Sequence, residues 1–402
     1  MTSLLKSNKA YLDLTSKWAA NWLKIFVNHT AGGFFERLAS DCSPIDLGYS
    51  RLLTQCRQIY VCSNAYCLTG EKKFLVAAQD GYTQINDSFR TKNGDGFHFS
   101  ISSDGCIYDS TYDLYGHAFV LFSLAHYYQT SKDYTAVKLA KRTLNFINLH
   151  FKISPQNGYH EAIDSNLFPI NKVRRQNPHM HLFEGCLSMY FITKDADYLD
   201  TADYVLDLLQ NHFFDDVTST LGEFFDNDLR PDVNSGHIVE PGHHFEWVWL
   251  LYKRLSIPMS PGKSEKIKSI MNKLFDWARS NGIDSDYGGV FNEIDRNGIV
   301  LSSSKRIWGL TEAIKAYSIM MLYRSNMREV LNQELSNLFD ILCNNYVGED
   351  GIWVEICNRD LSPQTDWLPG STTYHIFSAI VETHSLLNLH TESEENIRGK
   401  YV

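Results

Sequence analysis

The sequence predicts an all-α protein: an (α/α)6 barrel of six helix-pair repeats, with short β-hairpins at one mouth. Three observations predict it. A Gly-rich, aromatic and acidic segment recurs six times. The recurrence has an almost constant period, and two amphipathic stretches lie between successive segments. The segments begin GGFFERLASD at Gly32, DGFHFSISSDG at Asp95, NGYHEAIDSN at Asn157, GEFFDNDLRP at Gly222, GGVFNEIDRNG at Gly288 and DGIWVEICNRD at Asp350. One glycine from each, at Gly33, Gly96, Gly158, Gly222, Gly289 and Gly351, gives gaps of 63, 62, 64, 67 and 62 residues.

In chain order, an opening helix is expected over Ser3–Val27 and the first hairpin comes after it. Paired helices are then expected at Tyr49–Leu68 and Lys72–Phe89, at Tyr115–Gln129 and Tyr134–Phe151, and at His179–Ile192 and Tyr198–Phe213. Two more pairs stand at His243–Leu255 with Lys266–Ala278 and at Ile307–Leu322 with Val330–Cys343. Thr373–Leu387 closes the chain. Each segment couples a Gly to a short apolar/polar run and an Asp/Asn turn, which reads as a short hairpin. A helix pair of this kind cannot bury its apolar face alone, so neighbours must stack. The terminal helices (WAANWLKIFV and YHIFSAIVETHSLL) are as apolar as the internal ones, which favours ring closure over an open solenoid. Residues 1–402 are therefore expected to form a single catalytic domain.

Composition narrows the function. The chain has 402 residues, a formal charge of −10 and 44% hydrophobic residues. That balance suits a large packed core and argues against nucleic acid, which needs a basic face. No Lys/Arg-rich run suggests an anionic membrane surface, and no stretch reaches the length of a membrane span. Eight cysteines without a Cys-x-x-Cys pair, and an N-terminus without a leader-like apolar run, read as reduced thiols in a cytoplasmic protein. An aromatic content of 13% suits either a packed core or a cavity walled by rings. No G-x-G-x-x-G, P-loop or Gly-x-Ser-x-Gly motif is present, so no cofactor is expected.

The repeat also proposes a site. Near the start of the first helix after each hairpin, a polar or aromatic residue recurs: Arg57, His117, His181, His243, Trp308 and His375. Convergent ionisable groups of this kind are expected to line one cavity. His181 and His243 each have a carboxylate three residues on, Glu184 and Glu246, on the same helical face. Such a Glu could orient the imidazole, bind a hydroxyl or be a plain neighbour. A metal centre would want carboxylates from the other helices too, where Arg57 and Trp308 stand, so no metal is expected. His179 and His244 point elsewhere and are expected to be structural. Asp113 and Tyr115 stand at the start of the second such helix, where either a substrate contact or, for Asp113, an N-cap is expected.

These residues carry a resemblance. RRQNPHMHLFEG (Arg174–Gly185), DLYGHAFVLFSLA (Asp113–Ala125), EPGHHFEWVWLL (Glu240–Leu251), YHIFSAI (Tyr374–Ile380) and Arg57-Gln-Ile-Tyr60 resemble the N-acylglucosamine 2-epimerase superfamily. The resemblance spans nearly the whole chain and agrees with the (α/α)6 fold. It implies a sugar isomerase or epimerase acting at C1–C2 of an opened sugar through a cis-enediol. His243 and His375 would be the acid/base pair. Arg57, His181, Glu184 and Glu246 would bind substrate, with Trp308 as an apolar wall. Asp113, Tyr115 and His117 join the expected substrate-binding residues from their places at the helix start and in the repeat, not from the resemblance. The segment around Glu240 is closer to the mannose isomerase group, which points to aldose–ketose isomerisation of a free sugar. N-acylglucosamine 2-epimerisation is the first alternative, and an (α/α)6 glycoside hydrolase is the alternative from another class. A small sugar is the expected partner, with a homodimer allowed as the assembly.

Overall fold

The computed structural model describes residues 8–92, 94–153 and 157–398, so the first residues of the expected opening helix lie outside the described part. Among the described residues twelve α-helices carry the fold: α1 Asn8–Phe26, α2 Leu52–Thr69, α3 Lys72–Gln84, α4 Leu114–Ser131, α5 Tyr134–Phe146, α6 Gln176–Thr193, α7 Ala196–Leu208, α8 Pro241–Leu255, α9 Pro261–Trp277, α10 Ile307–Tyr323, α11 Arg328–Ile341 and α12 Thr373–Arg398. They group into two compact units. One, unit A, holds Ala19–Val239 and Trp367–Tyr374; the other, unit B, holds the described residues up to Trp18, Glu240–Asp366 and the described residues from His375.

In unit A the even-numbered helices pack side by side, α4 between α2 and α6, and each carries its odd-numbered partner. The two kinds of helix differ in their sequence pattern. In α4, Gly116 to Ala125 are all buried, as in a helix apolar all round. In α5 burial falls at Ala136, Leu139, Ala140, Thr143 and Leu144, the three-and-four spacing of a single apolar stripe. Unit B repeats the arrangement, with α8 on α10 and with α9 and α11 as their partners.

Every odd-numbered helix from α3 to α11 ends in a five-residue π-turn: Ile85–Phe89, Ile147–Phe151, Leu209–Phe213, Ala278–Gly282 and Leu342–Tyr346. The wider turn brings a ring, Phe89, Phe151, Phe213 or Tyr346, into the core at four of these ends. The chain then bends into the Gly-containing segment, whose strands are only two or three residues long. Such strands pair with the residues that start an even-numbered helix. Tyr49–Arg51 pairs antiparallel with Ser100–Ser102, Tyr112–Asp113 with Ala162–Ile163, and Arg174–Arg175 with Phe224–Phe225 in unit A. Lys305–Arg306 does the same with Ile356–Cys357 in unit B.

The expected hairpins are thus part right. Ser100–Ser102 with Ile107–Asp109 and Glu293–Asp295 with Val300–Ser302 are two-stranded hairpins. In the latter turn, Asp295 Oδ1 accepts from the backbone N–H groups of Asn297 and Ile299, both at 2.8 Å, and Gly298 supplies a φ of +82°. The segments at Gly32, Asn157 and Asp350 are each held by two isolated bridges plus the pairing to a helix start. The one at Gly222 follows a short antiparallel pair, Phe214–Asp215 with Thr220–Leu221, and carries one bridge. None of the eight cysteines, all among the described residues, is in a disulfide. No helix among the described residues is long and apolar enough to cross a membrane.

Even-numbered helices come close together at Gly185 of α6. A Cβ there would lie 2.7 Å from the Ala118 carbonyl oxygen of α4 and 3.1 Å from Leu121 Cβ. Backbone cannot move aside as a side chain can. Gly185→Ala is therefore expected to destabilise the fold by about 1–3 kcal/mol, read as a lower midpoint in urea melts. An unchanged midpoint would contradict this packing.

Candidate active site

The site is set by how each even-numbered helix begins. Helices α2, α4, α6, α8 and α10 are each preceded by an extended residue: Arg51, Asp113, Arg175, Glu240 and Arg306. The fourth residue after it is a histidine in three helices. Nδ1 of His117, His179 and His244 faces the carbonyl of Asp113, Arg175 and Glu240, at 2.7, 2.9 and 3.4 Å. A carbonyl only accepts, so Nδ1 carries the proton. Nε2 then accepts from a backbone N–H of the Gly-containing segment, that of Phe97 for His117 (3.0 Å) and of Tyr159 for His179 (3.1 Å). Burial pushes these imidazoles down, to about 4 for His117 and about 3 for His179 and His244. In α2 the same place holds Gln55, which grips the Gly-containing segment alone, accepting from Phe34 N–H at 2.9 Å and donating to its carbonyl at 2.8 Å.

His117 therefore belongs with the structural pair His179 and His244, and not with His181 as the sequence spacing suggests. Both its ring nitrogens are engaged by backbone. The residues in phase at the sixth place are Arg57, Phe119, His181, Glu246 and Glu312. Counting from Pro369, which starts the short turn leading into α12, the same place holds His375. Their spacings of 62, 62, 65, 66 and 63 are more even than those of the predicted set. Sequence reasoning missed Phe119 and Glu312. The signal was the constant distance from the helix start, which counting histidines obscured.

Unit B brings together His243, Glu246, Trp308, Glu312 and His375, all buried. The Trp308 ring centroid lies 4.8 Å from that of His243 and 5.9 Å from that of His375, so the indole is flanked by two imidazoles. Gly242 permits this, since a Cβ there would fall 2.4 Å from Trp308 Cζ3. His375 Nδ1 donates to Glu312 Oε1 at 2.9 Å, while Lys315 Nζ stands 2.6 Å from Glu312 Oε2. His243 Nδ1 lies 3.5 Å from Glu240 Oε2. With Nδ1 facing a carboxylate, Nε2 is left as the nitrogen that can exchange a proton.

Unit A assembles a second group. His181 Nδ1 donates to Glu184 Oε2 at 2.8 Å, the pairing its spacing predicts, and Tyr374 Oη donates to Glu184 Oε1 at 2.6 Å. Arg57 donates to Tyr115 Oη at 2.9 Å and to the Ser371 carbonyl at 3.3 Å. Its guanidinium lies 4.5 Å from the Phe119 centroid and 4.9 Å from that of Tyr374, a cation walled by rings. His181 packs on the same Phe119 at 4.6 Å. Asp113 caps α4 by accepting from Gly116 N–H at 3.2 Å, and burial pushes its carboxyl up to about 6.

Glu246, Glu312 and His375 offer ligand atoms within 4.8 Å of one another and could surround a cation. The donor set does not favour one. Glu312 already accepts from His375 through one oxygen and faces the Lys315 ammonium through the other.

A family model described as N-acylglucosamine 2-epimerase matches residues 33–379. A protein of Rhizobium meliloti named mannose-6-phosphate isomerase is 28% identical, the alignment covering 91% of this chain and 93% of that one. One of Bacteroides fragilis named cellobiose 2-epimerase is 24% identical, over 77% and 81%. A crystal structure of a D-mannose isomerase superposes with a TM-score of 0.82 at 22% identity, covering 94% of this chain and 96% of that one. At that identity the likeness is one of fold, the (α/α)6 class expected from the repeats.

Three imidazoles held neutral make stability depend on pH. Each binds a proton in the unfolded chain at a pH where the folded chain refuses it. Their contribution is thus full above about 6.5 and is lost as pH falls toward about 4, at about 1.4 kcal/mol per pH unit for each group. The raised Asp113 carboxyl acts in the opposite sense, losing its contribution as pH rises through about 6, and offsets one of the three. Urea melts should show stability falling from pH 7 to pH 5, and less steeply in His117→Gln, which copies Gln55. A flat or rising profile would contradict this assignment.

Proposed function

We propose that this chain, which belongs to the N-acylglucosamine 2-epimerase family, interconverts a free aldose and its ketose at C1–C2, with mannose and fructose as the type of pair. The observation that carries the reading is the pair of buried imidazoles, His243 and His375, on either side of Trp308. Imidazole titrates near neutrality, which suits removal of the weakly acidic proton on C2 of an open-chain sugar. One histidine takes that proton. The C2–H electron pair becomes the C1–C2 double bond, and the carbonyl electrons move to O1, giving a cis-enediol(ate). O1 takes up a proton as O2 loses one, and a proton delivered to C1 completes the ketose.

Arg57 is assigned to the developing oxyanion, since a fixed cation with little water around it stabilises charge that appears in the transition state. Tyr115, His181, Glu184 and Glu246 are assigned to sugar hydroxyls, and Trp308 to an apolar face of the substrate. Asp113 and His117 leave the proposed set, because one caps α4 and the other ties it to the next Gly-containing segment. The name of the Rhizobium meliloti relative supports a mannose-type sugar, there as its 6-phosphate, and cysteines outside any disulfide suit a cytoplasmic enzyme.

A second reading rests on the same two imidazoles. Bases on opposite faces of the enediolate would return the proton to C2 with inversion, the chemistry in the name of the Bacteroides fragilis relative. N-acylglucosamine 2-epimerisation is the third. Hydrolysis is disfavoured, since it needs one carboxyl protonated and a second free to act as base or nucleophile. Glu312 is tied to Lys315 and His375 and suits neither part.

Two experiments test the proposal. Incubation with mannose, glucose, cellobiose and N-acetylglucosamine, with chromatography of the products, should give a ketose from mannose. Products only from a disaccharide or an N-acyl sugar would replace the first reading by an epimerase. His243→Ala and His375→Ala should each lower turnover by about 10²- to 10⁴-fold with an unchanged circular dichroism spectrum. Near-normal turnover in either variant would remove that residue from the chemistry.

A further inference from the structure

On α10 a lysine is buried behind the candidate acid/base residue. Lys315 and Glu312 stand one turn apart and are both 0% exposed, with Nζ 2.6 Å from Oε2. The other oxygen of the same carboxylate accepts from His375 Nδ1 at 2.9 Å. Lys315 Nζ lies 4.0 Å from the Trp249 ring centroid of α8, so an aromatic face covers the ammonium where water would otherwise solvate it. On α12 the Glu382 carboxyl also feels this charge. Burial pushes Glu382 up, but Lys253, Lys315 and Trp249 together hold it below the ordinary carboxylate range. Lys253 pairs with Glu382 at 2.8 Å. The charged groups of three helices are thus arranged lysine against glutamate, with the imidazole at one end.

We propose that Lys315 is a positioning residue for the acid/base step: it holds Glu312 as a carboxylate, which keeps the proton on His375 Nδ1 and leaves Nε2 to exchange protons with the sugar. The inference rests on the role proposed above for His375. Stability alone gives little reason for such a pair. A fully buried lysine and glutamate lose their hydration, and an apolar pair of similar volume would pack about as well. A neutral Glu312 could donate to Nδ1 instead of accepting from it. The imidazole proton would then sit on the nitrogen that has to accept one from carbon. The ammonium prevents this, because it favours the ionised form of the carboxyl it touches. Lys315 needs no contact with substrate to act in this way.

The test is Lys315→Met, which keeps length and removes charge. We expect kcat to fall about tenfold or more with KM within about threefold, because the sugar contacts are untouched. In protein labelled with ¹⁵N-histidine, the His375 signals, identified by their loss in His375→Ala, should show the proton leaving Nδ1. If the lone buried carboxylate prevents folding, Glu312→Gln/Lys315→Met leaves no unpaired charge and should fold. Its amide oxygen is a weaker acceptor, so the loss in kcat should remain. Wild-type kcat in a folded variant of either kind, or an Nδ1 proton that stays in place in Lys315→Met, would overturn the proposal. Should His375→Ala itself be fully active, the reading of the site fails, whatever Lys315 does. A dead His375→Ala beside a normal Lys315→Met fails the lysine alone.

Discussion

The structure depends on one recurrent constraint: the way an extended residue is joined to the start of each even-numbered helix. In α4 and α6 a histidine four residues after the extended residue spans that junction. It donates to the carbonyl before the helix and accepts from a backbone N–H of the neighbouring segment, as His117 and His179 do. A side chain that bonds one backbone atom on each side of the junction fixes both the end and the rotation of the helix. Rotation is what matters for chemistry. With the helix start fixed, the sixth place is presented in a fixed direction, and the candidate residues Arg57, His181, Glu246, Glu312 and His375 stand there.

The same logic explains how so many polar groups are buried. Each imidazole of the structural set turns Nδ1 to a backbone carbonyl and stays neutral, which avoids the penalty for a buried charge. The imidazoles of the candidate site are treated otherwise. His181, His243 and His375 each turn Nδ1 toward a carboxylate, Glu184, Glu240 and Glu312, and so keep Nε2 for other partners. Three histidines facing a carbonyl and three facing a carboxylate separate scaffold from chemistry within one helical repeat. Aromatic rings fill the space between. Phe119 packs on both Arg57 and His181 in unit A, and Trp308 on both His243 and His375 in unit B.

Much of the fold was legible because the repeat writes it six times. The Gly-containing segments and the helix pairs leave a pattern in the residues; both helices of a pair read as amphipathic, and burial in the fold separates the wholly apolar one from the striped one. The π-turns that end α3, α5, α7, α9 and α11 were not legible, since a single extra residue in a turn leaves the apolar stripe almost unchanged. The site was legible in part. His181 with Glu184 comes from a three-residue spacing on a helix. His117 was misplaced because histidine serves two purposes in these helices, and only the distance from the helix start separates them. Glu312 escaped notice because its partner, His375, lies 63 residues away and meets it only after folding. For His243 the spacing pointed forward to Glu246, whereas the carboxylate facing its Nδ1 is Glu240, three residues before it.

The proposed acid/base pair lies within unit B alone: two imidazoles, one indole between them and a carboxylate fixed by a lysine. Such an arrangement is suited to moving protons between carbon atoms and poorly suited to hydrolysis. The most direct test is to incubate mannose with the purified protein in D₂O and monitor it by NMR, assaying ketose formation alongside. The expected product is fructose bearing solvent deuterium on C1, formed at a rate that depends on both His243 and His375. No ketose and no C2 epimer from any aldose, with release of sugar from a glycoside instead, would contradict the proposed proton-transfer chemistry.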